Sequence, residues 1–140
     1  MLLDANILLY AVDSASPQHS ACSSWLEGAL NAPRRVAIPW QSIGAFLRIS
    51  THPRIAPNPL TATEAWGFVD DWLAASPVWV PPISPNTMSI LGELMTAPGA
   101  TGNLVPDAML AAIAIEHGLT IVTADSDFAR FPVSVLNPLL

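Results

Sequence analysis

Apolar positions along this chain switch period repeatedly, and each switch marks an element. Met1 to Asp4 reads as a short buried strand that runs at once into a helical stretch through Val12. Gln18 to Leu30 has helical spacing, with Cys22, Trp25, Leu26 and Ala29 on one face. Val36 to Ile38 is a strand, and Trp40 to Ser50 a helix with Ile43, Phe46 and Leu47 turned inward. Thr61-Ala-Thr-Glu64 is a capping-box pattern that opens a helix lined by Ala65, Phe68, Val69 and Trp72. Val78 to Val80 is strand-like, and Pro85 to Met95 is helical with a Met88, Leu91, Met95 stripe. Val105 to His117 is a helix with Pro106 in its first turn and Gly118 as its stop. Leu119 to Thr123 and Val133 to Leu136 are the last strands. Strands alternating with helices predict an α/β fold, a central parallel sheet flanked by helices on both faces.

Prolines mark the connections: Pro53, Pro57 and Pro59 in one loop, Pro77, Pro81, Pro82 and Pro85 in another, with Pro98 to Asn103 a third. No repeat or Gly/Ser-rich linker divides the 140 residues, so 1–140 is expected to be a single domain. With 51% hydrophobic and 11% charged residues, disorder is excluded. A lone cysteine, Cys22, rules out a disulfide framework and a Cys-based zinc site; on its apolar face it reads as inert core. The longest apolar run, Ala108 to Ile115, is far too short to span a membrane, and the N-terminus has no basic leader. A cytoplasmic protein is therefore expected.

Charge narrows the chemistry. Five arginines against eleven acids give −6, and lysine is absent. The missing lysine excludes P-loop nucleotide binding and Schiff-base catalysis, and it removes the lysine expected in aspartyl-phosphate receiver domains. No Gly-x-Ser-x-Gly elbow supports a serine hydrolase. His19, His52 and His117 show no ligand spacing. A net-negative domain lacks the basic footprint of a duplex-coating protein, so any contact with nucleic acid must use local arginines, bridging metal ions or a basic partner.

Four aspartates stand out. Asp4 follows a strand, Asp107 sits in the first turn of a helix, and Asp125 and Asp127 follow the strand after it. In open parallel sheets the ligand crevice lies outside the carboxyl ends of the strands. From Asp107 the helix runs about eleven residues, roughly 16 Å. The next strand returns roughly 16 Å over about five residues, bringing Asp125 back to the edge that carries Asp4. Taken singly, Asp107 could serve the helix dipole, and Asp125 or Asp127 a turn. Gathered on one rim they repel one another, and a divalent cation removes that cost. Oxygen-only ligands suit Mg²⁺ or Mn²⁺, and metal-assisted phosphodiester hydrolysis is the chemistry such a site supports.

The opening Leu3-Asp4-Ala5-Asn6, the segment Asn103-Leu-Val-Pro-Asp107, Glu116-His117-Gly118 and Thr123-Ala-Asp125-Ser-Asp127-Phe128 together resemble the PIN domain. More narrowly they resemble VapC toxins, the ribonucleases of type II toxin–antitoxin pairs, as does the segment from Pro39 to Arg54. The resemblance implies a PIN-like fold, a Mg²⁺- or Mn²⁺-dependent endoribonuclease, a homodimer and a cognate VapB-type antitoxin. It implies catalytic and metal-binding roles for Asp4, Asp107 and Asp125, with Asp127 a further ligand or water holder. Asn6 and Asn103 are candidates to orient carboxylates or water, or else to cap helices. One position departs from the pattern: Ala45 stands where the family places a Glu, and no acid occurs between Glu27 and Glu64. Gln41, one turn earlier on the same face, could supply an amide oxygen instead. Glu116 is out of reach along its helix and out of phase. Arg48, on the face of Ala45, and Arg54, in the Pro-rich loop, are candidates for the RNA backbone, each against an ordinary surface role; Arg34 and Arg35 read as solvated. The contrasting expectation, favoured by Ala45 and a pI of 4.6, is a catalytically degenerate PIN domain that binds RNA or antitoxin without cutting.

Overall fold

A computed structural model describes residues 1–97 and 99–140; Pro98, in the third predicted loop, lies outside the described residues. Five strands, β1 (Leu2–Leu3), β2 (Val36–Ala37), β3 (Val78–Trp79), β4 (Ile121–Val122) and β5 (Val135–Leu136), form one sheet in the order β3-β2-β1-β4-β5. Every pairing is parallel. The helices are α1 (Ala5–Val12), α2 (His19–Leu30), α3 (Trp40–Ser50), α4 (Ala62–Ala74), α5 (Pro85–Thr96) and α6 (Leu104–His117).

Successive strand residues point to opposite faces, and two cores result. Leu3, Val36, Ile38 and Val122 pack with residues of α1 to α4, among them Ile7, Cys22, Phe46 and Trp72. Leu2, Ala37 and Ile121 face the other way, into α5, α6 and the segment holding Phe128 and Phe131. The alternation is why the central strands β1, β2 and β4 carry unbroken apolar residues: both of their faces are covered, whereas β5 at the edge is exposed. The regular strands are shorter than their sequence segments, although single hydrogen bonds extend the ladder, as from the Thr123 N–H to the Leu136 carbonyl (3.0 Å).

Local signals place the helices. Thr61 and Glu64 form the expected capping box, and Gly118 ends α6 at φ 65, a left-handed conformation that costs glycine little. A second capping box, Ser84 with Thr87, starts α5. Two inward assignments are corrected. Phe68 is 37% exposed, because α4 buries only the narrow strip Ala65, Val69, Trp72, and the Phe68 ring lies at its margin 6.2 Å from that of Trp72. Met88 is 59% exposed, because the neighbouring Thr87 takes the buried slot, its hydroxyl held by the Glu116 carboxylate. Cys22 is buried as expected. Among the described residues no helix is long and apolar enough to cross a membrane.

Candidate metal centre

The sheet register delivers Asp4. Leu3 pairs with Val122, and the Asp4 N–H donates to the Val122 carbonyl (3.0 Å), which puts Asp4 level with Thr123. Its carboxylate then caps α1, with Oδ1 accepting from the Ala5 N–H (2.7 Å). Oδ2 accepts from the Thr123 hydroxyl (2.8 Å) and the Asn6 amide (3.2 Å). These three bonds leave about one of the roughly four acceptor positions of a carboxylate open.

Thr123 is the hub of this corner. Fully buried, its hydroxyl donates to Asp4 and accepts from the Asn6 amide (3.1 Å) and the Asp125 N–H (3.0 Å). That fills its one donor and two acceptor positions. Asn6 also ties the two strand ends together through its Oδ1, which accepts from the Ala124 N–H (3.2 Å). Asn6 therefore orients Asp4, and Thr123 links Asp4 to Asp125. Thr123 has a role that the sequence reading missed; a hydroxyl residue closing an apolar strand two positions before an aspartate was the available signal.

Asp125 in turn accepts the Asp127 N–H at Oδ1 (2.8 Å) and starts a single 3₁₀ turn, Ser126–Arg130, anchored by the buried Phe128. Asp107 arrives from the first turn of α6, whose approach is shaped by Gly99 and Gly102 at φ 67 and 57. One carboxylate oxygen each from Asp107, Asp125 and Asp127 lie within 4.8 Å of one another. Asp4 stands outside that tight group yet close enough to perturb it. Asp107 has its pKa pushed up to about 6, first by burial, then by the charges of Asp125, Asp4 and Asp127. The Asp4 carboxyl is also raised, by burial above all. The hydrogen bonds from Thr123 and Ala5 oppose that rise and the Asp125 charge adds to it.

No arginine among the described residues lies within ion-pair distance of this cluster. Among the described residues the one contact within ion-pair distance is between the Glu116 carboxylate and the His117 ring, 3.8 Å apart at the far end of α6. There Glu116 accepts hydrogen bonds from Ser84 and Thr87 and holds α5 to α6, away from the aspartates. The donor set at the rim is hard oxygen throughout, which fits Mg²⁺ or Mn²⁺. Gln41 adds a second observation. Its Oε1 is buried without a partner at the head of α3, where the next residue, Ser42, donates to the Leu3 carbonyl (2.7 Å). Gln41 is thus held beside the strand end that carries Asp4, and a buried unpaired oxygen is a place for a cation or its water to bind. Ala45, one turn on and partly buried, brings no carboxylate.

The remaining candidates make no recorded side-chain contact with the carboxylate group. Asn103 is exposed and precedes α6 without a side-chain cap. Arg48 is exposed near the end of α3. Arg54 sits in a loop whose neighbours Ile55 to Asn58 cover a groove with Tyr10, Val12 and Asp13. Those residues end α1, and the loop that carries Arg54 follows α3. Arg34 and Arg35 are exposed, with Arg35 stacked 4.3 Å over the Trp79 ring.

Comparison with known proteins agrees with this fold. A family model described as PIN domain matches residues 1–133. The chain is 45% identical over 131 residues to Ribonuclease VapC37 of Mycobacterium tuberculosis, covering 93% of this chain and 90% of that protein. Among solved structures, VapBC2 from Rickettsia felis bound to a DNA fragment from their promoter superposes with a TM-score of 0.72 at 22% identity, covering 97% of this chain and 96% of that one. A toxin–antitoxin complex from Klebsiella pneumoniae gives a TM-score of 0.65 at 22% identity, over 98% and 96% of the two chains. At those identities the structural likeness shows the fold.

Proposed function

The chain belongs to the PIN domain family, and from that premise we propose that it is a metal-dependent endoribonuclease toxin of the VapC type. The observation that carries the reading is the carboxylate group Asp107, Asp125 and Asp127, crowded within 4.8 Å with no cation partner among the described residues. Asp107, Asp125 and Asp127 would hold Mg²⁺ or Mn²⁺, Asp4 would use its remaining acceptor position, and Gln41 would supply an amide oxygen on the β2 side. When bound, the cation activates water and stabilises charge on the phosphate and the leaving oxygen.

The chain's own residues do the positioning. Thr123 and Asn6 hold the Asp4 carboxylate in one orientation, and Thr123 also fixes the Asp125 backbone. Asp107, whose proton affinity is raised by burial and its neighbours, would bind a cation in competition with a proton. Outer contacts of this type tune metal affinity by about 10- to 100-fold.

Relatives named ribonucleases support RNA as the substrate, and the VapBC assemblies among structural neighbours support a VapB-type antitoxin as partner. A basic partner also suits a chain of net charge −6. The proposed unit is a homodimer working in the cytoplasm, with residues 1–140 as one PIN domain. Purified chain, freed of antitoxin, should cut RNA in Mn²⁺. Cutting should stop on adding EDTA and in Asp4→Ala and Asp107→Ala. Absence of cutting in any RNA pool would instead favour the degenerate domain that binds without cleaving, the reading Ala45 favours.

A further inference from the structure

Trp40 is the first residue of α3 and is 75% exposed, unusual for the largest apolar side chain. Its position follows from the sheet. Ala37 pairs with Leu2, the Ala37 N–H donates to the Met1 carbonyl (2.8 Å), and the Ser42 hydroxyl donates to the Leu3 carbonyl (2.7 Å). Adjacent strands lie about 4.8 Å apart, so α3 begins beside Asp4, and Trp40 stands on the β2 side of the carboxylate rim.

Residues four apart share a helix face, and the face of Trp40 continues through Gly44 to Arg48, both exposed. A Cβ at Gly44 would meet nothing within 4 Å, so the surface is open at the midpoint of this face. Trp40 and Arg48 are separated by about 12 Å along the helix. One arginine, Arg48, lies on this face, and α3 itself carries no acidic residue.

We propose that the Trp40–Gly44–Arg48 face of α3 is a track for single-stranded RNA leading from the carboxylate rim. The Trp40 indole stacks on an unpaired base beside the cleaved bond, and Arg48 grips a phosphate further along the strand. Stacking on an aromatic ring needs a base free of its helix, and a guanidinium offers paired donors to phosphate. The inference rests on the ribonuclease reading for its substrate, but its test is binding, which needs no cleavage.

The full chain is titrated with short single-stranded RNA in Ca²⁺, followed by fluorescence anisotropy. Trp40→Ala should weaken binding about 5- to 100-fold, the range for loss of one stacked base. Trp40→Phe should restore most of it. Gly44→Leu should leave the helix at least as stable, since leucine is the better helix former, yet obstruct the track and weaken binding. Arg48→Ala should lower the salt dependence by about one phosphate contact. An abasic nucleotide beside the cut site should cost wild type affinity and cost Trp40→Ala nothing more.

Binding unchanged in Trp40→Ala and Gly44→Leu would overturn the track, as would no RNA binding by wild type. A Trp40→Ala variant that keeps its RNA affinity but changes oligomeric mass would assign this face to a protein contact. RNA bound through Trp40 but never cut would leave the track standing and remove the nuclease; cutting indifferent to Trp40 would do the reverse.

Discussion

Replacing Asp107 by Asn should stabilise the metal-free protein at neutral pH, an outcome opposite to that of most substitutions at a functional site. The Asp107 pKa stands at about 6 rather than 3.8, because burial and three neighbouring carboxylates disfavour its charge. At about 1.4 kcal/mol per unit, that shift is worth about 3 kcal/mol at its upper bound. The side chain is only partly buried and water screens the repulsion, so about a third of that is a fair expectation. Asn also forfeits part of the attraction of a carboxylate to the N-terminus of α6. The net gain is about 0.5–1 kcal/mol, or about 2–3 °C in Tm for a chain of this size.

The pH dependence has a definite sign. The folded pKa lies above the unfolded one, so the native state binds the proton more tightly. Its contribution is complete below about pH 4 and is lost as pH rises through about 6. Thermal unfolding of both proteins in chelator, at steps from pH 4 to pH 7, should show the Asn variant gaining on wild type as pH rises. Excess Mg²⁺ should reverse the order at pH 7, because a ligand that binds only the folded state stabilises wild type more. A constant difference in Tm across the range, or an Asn variant less stable at pH 7 in chelator, would refute the repulsion argument.

Three further outcomes follow from the same geometry. Thr123→Val, nearly isosteric, leaves Asp4, Asn6 and the Asp125 N–H short of a partner; it should cost about 1–3 kcal/mol in denaturant unfolding and about tenfold in Mn²⁺ affinity by calorimetry. Ala45→Glu should tighten Mn²⁺ binding in the same titration, and an unchanged isotherm would show that Ala45 does not occupy the vacant ligand position. Mn²⁺ affinity of wild type should rise from pH 5 to pH 7 as the cation stops competing with the Asp107 proton, whose binding is strengthened; a flat profile would exclude Asp107 as a ligand.

Much of this was legible in the chain itself. Trp40–Ser50 and Ala5–Val12 match their apolar spacing, and Gly118 and the Thr61–Glu64 box act where they stand. The convergence of Asp107 and Asp125 followed from element lengths, since a helix and a returning strand must bring the chain back to one edge. Periodicity fails where a helix buries less than its apolar face offers, as at Phe68, or where a satisfied polar group takes a core position, as Thr87 does beside Met88. Thr123 was hidden because its importance lies in two hydrogen bonds across the sheet, to residues more than a hundred positions away, and one to Asp125 beside it. Asp4 appeared to be one ligand among equals; three of its acceptor positions are already spent on the fold. Trp40 gave no signal at all, since spacing cannot tell an indole at a rim from one in a core.

The most direct measurement is the manganese-edge anomalous signal of crystals grown with Mn²⁺. The account predicts a peak about 2–2.5 Å from carboxylate oxygens of at least two of Asp4, Asp107, Asp125 and Asp127, the range of hard-cation contacts, and its loss in Asp107→Ala. A peak elsewhere, or none beside these four side chains at saturating Mn²⁺, would contradict it.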